Sequence, residues 1–271
     1  MLPWIDTLLE KVQKEYSQKV PTFQVRPSSQ KEIQYAMSIA NEKDSFDELK
    51  LKQTMILWYQ GDEAFFETCT SDIGTILVLR RRDTQWQPSW EVWLRAARIL
   101  CPKKQIRILI FAHPRARMLP SKGTRIGPQH INGGYTTRCD SKSVVIYRAE
   151  EATRVLVHEL FHASCSDPYH KDTPFIEADT EAWAEVVLCA MAARGDMTKW
   201  RRYFHQQVQW AVRQAATLRD WYGVQHPQDY AWRYGVGRVD VWRRLGLQVP
   251  SVPVRYKPVE SLRLTHCEPQ L

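Results

Sequence analysis

The chain has 271 residues, of which 44% are hydrophobic and 11% aromatic, enough apolar surface to bury a core in one domain or one domain with an accessory lobe. Its 38 Lys and Arg outnumber 30 Asp and Glu, giving a formal charge of +8 that favours acidic partners. No apolar run reaches the roughly 20 residues of a membrane-spanning helix, so a soluble protein is expected.

Residues 5–18 and 29–42 have helical periodicity. The first twelve residues, Met1 to Val12, are amphipathic and carry acids, unlike a signal or transit peptide, and residues 1–50 are expected to form an N-terminal helical accessory segment. Met55–Tyr59, Thr75–Leu79 and Ile106–Phe111 are predicted strands, with a helix over Ser89–Leu100 between the last two. The stretch Leu119–Thr136 holds Gly123, Gly127, Gly133 and Gly134, which mark a shaped loop in which Asn132-Gly133-Gly134-Tyr135 forms a turn. Ser143–Tyr147 is the next strand.

The run Val155-Leu-Val-His-Glu-Leu-Phe-His-Ala163 follows, on a helix that opens with acids at Glu150 and Glu151. Positions i and i+4 share a helical face, so His158 and His162 can address one metal ion while Glu159 lies beside the metal-bound water. The competing explanation is two histidines bonded to carbonyls in an amphipathic helix. A catalytic zinc site takes three protein ligands, and the helix predicted over 174–194 offers Glu177, Glu181 and Glu185 at successive i, i+4 positions. A solvated acidic stripe would have the same spacing.

Residues 197–221 form a long amphipathic helix rich in Trp and Arg, and Pro250, Pro253 and Pro258 mark a tail over 247–271. Six cysteines, at 69, 101, 139, 165, 189 and 267, show no CxxC pairing and are expected to be thiols in a reducing, intracellular compartment such as the cytoplasm. Cys165, three residues beyond His162, is expected to be a small core thiol, the alternative being a metal ligand or a redox brake on the metal. Basic clusters at Arg80–Arg82, Lys103–Lys104 and Lys199–Tyr203, interleaved with tryptophan, make a nucleic-acid groove the rival function.

HELFH at 158–162, followed after eighteen residues by Glu181, resembles the HExxH-x18-E arrangement of gluzincin metallopeptidases. That resemblance selects Glu181 as third ligand and Glu185, one turn on, as a carboxylate that orients a zinc histidine. Glu177 competes for either role. The Asn-Glu pair of thermolysin-like members, the Gly-Ala-Met-Glu-Asn exopeptidase motif and the HxxGxxH continuation of metzincins are all missing. With its Gly-rich stretch, the chain also resembles metalloprotease-like proteins of large DNA viruses, which would place it in host cytoplasm or virion.

The resemblance implies a zincin-like α+β fold: a small mixed sheet packed on the HExxH helix, then a helical C-terminal half, with residues 51–246 as the catalytic domain. In zincins an extended substrate lies along the strand before the motif helix, here 143–147, and Asn132, Gly133, Gly134 and Tyr135 would flank the cleft. One zinc ion would be held by His158, His162 and Glu181. Glu159 would act as general base in an endopeptidase, and His226, Tyr230, Tyr234 or His170 would donate to the oxyanion. Asp167 is a further candidate, to bind the free nitrogen of a ligand histidine. The alternatives are a basic nucleic-acid-associated protein without peptidase activity and a zinc hydrolase of a non-peptide amide.

Overall fold

Consecutive β-branched and aliphatic residues at Ile76–Leu79 and Ile108–Phe111 make interior strands with both faces covered, and they lie at the centre of a six-stranded mixed sheet. The computed structural model describes residues 2–102, 104–167, 172–252 and 256–266. Two units are built from interleaved segments: Lys19–Ala116 with Asn132–Ser166, which carry the sheet, and Met1–Gln18, Arg117–Ile131 and Asp167–Leu271, which are helical. The fold class is α+β, as expected.

In the sheet unit the strands are β1 (Phe23–Pro27), β2 (Ala64–Ser71), β3 (Gly74–Arg81), β4 (Ile106–Phe111), β5 (Gly134–Tyr135) and β6 (Val144–Ile146). Their order is β1-β2-β3-β4-β6-β5. β1 to β3 pair antiparallel, β3–β4 and β4–β6 pair parallel, and β5 returns antiparallel to β6. Side chains alternate between faces along each strand. Leu77, Leu79, Leu109, Phe111, Val145 and Tyr147 pack against α2 (Gln30–Asn41) and α3 (Leu51–Gln60). On the opposite face lie α4 (Trp90–Leu100) and α6 (Ala152–Ala163), joined by a hydrogen bond from Trp93 Nε1 to Thr153 Oγ1 at 2.9 Å.

Local chemistry sets the helix starts. Ser29 and Glu32 form a reciprocal capping box on α2, and Arg26 clamps the Glu32 carboxylate through both of its oxygens at 2.8 and 2.9 Å. Met55–Tyr59, predicted as a strand, is part of α3. The Asp47 carboxylate accepts from the Leu51 and Lys52 N–H groups, satisfying donors that a helix start leaves open, and Leu51, Lys52, Met55 and Ile56 form the buried helical face.

The helical unit contains α1 (Pro3–Ser17), α5 (Pro128–Ile131), α7 (Thr173–Ala192), α8 (Met197–Tyr222), a π-helical turn (Trp232–Val236) and α9 (Gly237–Arg244). Tryptophans bind its helices together: Trp4 meets Trp183 edge-on, Trp200 Nε1 donates to Val186 O and Trp242 Nε1 donates to Ala182 O. Val259, Leu262 and Leu264 of the tail are buried, and Arg263 O accepts from Gln214 Nε2 at 2.7 Å. No helix among the described residues is long and apolar enough to cross a membrane.

Candidate metal centre

α6 is buried on nearly every side: each residue from Ala152 to Leu160 is buried, so the helix is held by packing around its whole circumference. On this rigid element His158 and Glu159 are 6% and 5% exposed and His162 is half-buried. The His158 and His162 Nε2 atoms lie 2.9 Å apart, with their rings inclined by 72°. Two ligands of a tetrahedral zinc, each about 2.0–2.1 Å from the metal, are roughly 3.3 Å apart. The two nitrogens thus converge closely enough to share one ion, and neutral imidazole is the donor zinc prefers beside a carboxylate.

Glu159 lies against the edge strand β5. A Cβ built on Gly134 would come within 3.3 Å of Glu159 Oε1, 2.9 Å of Val145 O and 2.7 Å of Val155 Cγ1, so only glycine allows the strand this close to the helix. Asn132–Tyr135 is therefore not the predicted turn but the entry to β5. Gly133 O accepts from Tyr147 N at 2.7 Å and Asn132 O accepts from Arg148 Nε at 2.7 Å. The strand at 143–147 is corrected as well: β6 lies between β4 and β5, both of its edges are paired, and the outer strand on this side of the sheet is β5. Tyr135 is held from the opposite face, where Lys52 Nζ donates to its hydroxyl at 2.8 Å and Phe46 stacks on its ring at 5.2 Å.

Cys139 and Cys165 are joined by a disulfide, which overturns the expectation of six thiols and of Cys165 as a core residue; both are exposed. They are 26 residues apart, and only the return of the β5–β6 connection to the end of α6 brings them together. Cys69, Cys101 and Cys189 are buried thiols, and burial pushes the first two up to about 11. Cys267 lies outside the described residues.

The candidate carboxylates belong to the helical unit. α7 presents Glu177 half-buried and Glu181 and Glu185 each 1% exposed. Within this unit Tyr234, on the π-helical turn, has its hydroxyl 3.4 Å from that of Tyr230. Burial, and then the charge of Glu177 and the presence of Tyr230, push the Tyr234 phenol well above its ordinary value, so it keeps its proton as a hydrogen-bond donor. Asp167 is buried and accepts from Thr180 Oγ1 at 3.2 Å. His226 is exposed in a turn where its N–H donates to Asp229 Oδ2. His170 lies outside the described residues.

Two features of this centre had no local signal in the chain, the disulfide and the fit of Gly134 against Glu159. In comparisons with family models, curated proteins and solved structures, nothing matches the chain.

Proposed function

We propose that the chain is a zinc-dependent peptidase of zincin-like build, in which His158, His162 and a carboxylate of α7 hold one zinc ion and Glu159 is the general base. The observation that carries this reading is the convergence of the two imidazole Nε2 atoms to 2.9 Å on a buried helix, with Glu159 alongside an edge strand. Bound zinc supplies a Lewis acid that polarises a carbonyl and makes a water acidic near neutral pH.

The chain's own groups supply the rest. Glu159, in a site largely closed to bulk water, takes the proton of the attacking water and passes it to the departing amine. β5 offers its outer backbone edge to an extended peptide, which would add a strand to the sheet. Tyr234, whose phenol keeps its proton, and its neighbour Tyr230 are the proposed donors to the developing oxyanion, and His226, exposed in its turn, is the weaker candidate. For the third ligand, Glu181 has the spacing that resembles gluzincins, whereas Glu177 is partly exposed and its charge acts on the Tyr234 phenol. Trp93, Trp200 and Trp242 are buried and so not open to stacking on bases, whereas Trp221 is exposed.

Metal analysis and peptide-library hydrolysis test this function. Wild type should carry stoichiometric zinc, and Glu159→Gln should keep the metal but lose about 10²–10⁴-fold in turnover. Of Glu177→Gln and Glu181→Gln, the one that releases zinc identifies the ligand. Zinc-loaded wild type that cleaves no peptide would rule peptidase activity out.

A further inference from the structure

His162 sits in the last turn of α6, where a helix leaves its carbonyls without intrahelical partners and tends to fray. A metal ligand there needs an external brace. The helix closes in a Schellman arrangement: Ser166 N–H donates to Phe161 O at 3.2 Å and Cys165 N–H to His162 O at 3.1 Å. Lys104 Nζ donates to Ala163 O at 3.2 Å. The His162 carbonyl takes a second hydrogen bond, at 2.9 Å, from the N–H of Cys139. The two residues whose amides hold His162 are thus the two joined by the disulfide.

Both cysteines have φ of +66°, the left-handed conformation in which glycine is ordinary and a Cβ is disfavoured. A Cβ-bearing residue at each position makes sense when its side chain forms the bond. Cys139 also lies on the connection between β5 and β6, so the same bond fixes the strand whose Gly134 abuts Glu159. Its exposure leaves it open to reductants.

We propose that the Cys139–Cys165 disulfide is the positioning bond of the metal centre, and that opening it lowers metal affinity by releasing the turn that carries His162. The proposal rests on the metal-binding reading of α6. Opening takes two electrons and two protons from a dithiol, which leaves as its own disulfide, and yields the thiols of Cys139 and Cys165. A phosphine does the same with water as co-reactant and leaves as its oxide.

The test measures zinc and cobalt(II) dissociation constants for the intact protein before and after reduction with tris(2-carboxyethyl)phosphine, with far-ultraviolet circular dichroism at the assay temperature. Reduction should weaken binding by about 10–100-fold, alter the visible bands of bound cobalt and leave the helical signal unchanged. Cys139→Ser/Cys165→Ser should match the reduced protein and ignore the phosphine. Cys165→Gly, which keeps the left-handed helix end without the bond, should also bind weakly.

Equal affinity in both redox states, or full affinity in Cys165→Gly, overturns the proposal. So does loss of the helical signal on reduction, which would make the bond a staple of the fold. A thiolate-to-cobalt charge-transfer band after reduction also overturns it, because Cys165 would then be a ligand. Absence of metal binding in the oxidised protein instead defeats the metal-centre reading beneath it.

Discussion

Glycine at position 134 lets an edge strand approach a helix too closely for a methyl group to fit between them, and Glu159 is one of the groups that such a methyl would meet. Gly134→Ala should therefore cost about 1–3 kcal/mol of stability, because two of the three nearest atoms belong to packed or backbone groups that cannot retreat. Chemical denaturation would show the loss, and if the proposed peptidase activity holds, hydrolysis should fall further than stability alone explains, since the added methyl meets Glu159, the proposed general base. On the other face of the sheet, Lys52 is 1% exposed and binds Asp44, the Tyr135 hydroxyl and Ile39 O. Burial works against the charge of Asp44, but the bond from Lys52 and the N–H groups of Asp47 and Phe46 outweigh it and hold the carboxyl below its ordinary value. Lys52→Met should cost about 3–5 kcal/mol by stranding that carboxylate, and Lys52→Met/Asp44→Leu should recover much of the loss in urea denaturation. The restraint on Tyr135 would be lost in both.

At the scale of elements, α2 depends on its capping box. The bond from Arg26, opposed by burial and aided by Ser29, lowers the Glu32 carboxyl to about 2. Its folded value lies below its unfolded one, so its contribution is complete above the ordinary carboxylate range and is lost as pH falls toward 2. Glu32→Gln should lower stability by about 1 kcal/mol at pH 7, and the gap to wild type in denaturant midpoints should narrow between pH 5 and pH 2. A gap that stays constant with pH would assign the effect to packing instead.

The misread element, Met55–Tyr59, shows where composition misleads: Met-Ile-Leu-Trp-Tyr is rich in strand formers, yet Leu51 with Met55 and Lys52 with Ile56 form i, i+4 pairs that only a helix buries together. The Asp47 cap, four residues before Leu51, was the overlooked sign of a helix start. The π-helical turn that places Tyr234 beside Tyr230 had no sign in the chain, because the wider turn arises from packing rather than propensity.

At the scale of the whole molecule, the excess of eight positive charges acts as a field on whatever approaches. If the substrate is an acidic peptide, kcat/KM should fall about tenfold as ionic strength rises from ~0.01 M to ~0.15 M and the screening length shrinks from ~30 Å to ~8 Å. A neutral peptide of the same length should show no such dependence. Stopped-time assays across a salt series would separate the two.

The chain by itself determined α6 with its two histidines and Glu159 in place, the carboxylate row of α7, the interior strands β3 and β4 and most helices, because each is a periodicity written within one short segment. Only the tertiary structure decided that β5 is the outer strand, that Gly134 abuts Glu159, that Tyr234 lies within the charge of Glu177, and that Cys139 meets Cys165. The physical reason is distance along the chain. The β5–β6 pairing joins residues at least ten positions apart and the other three contacts join residues more than twenty apart, and no local propensity encodes a pairing that exists only after the sheet has formed and the chain has returned to it.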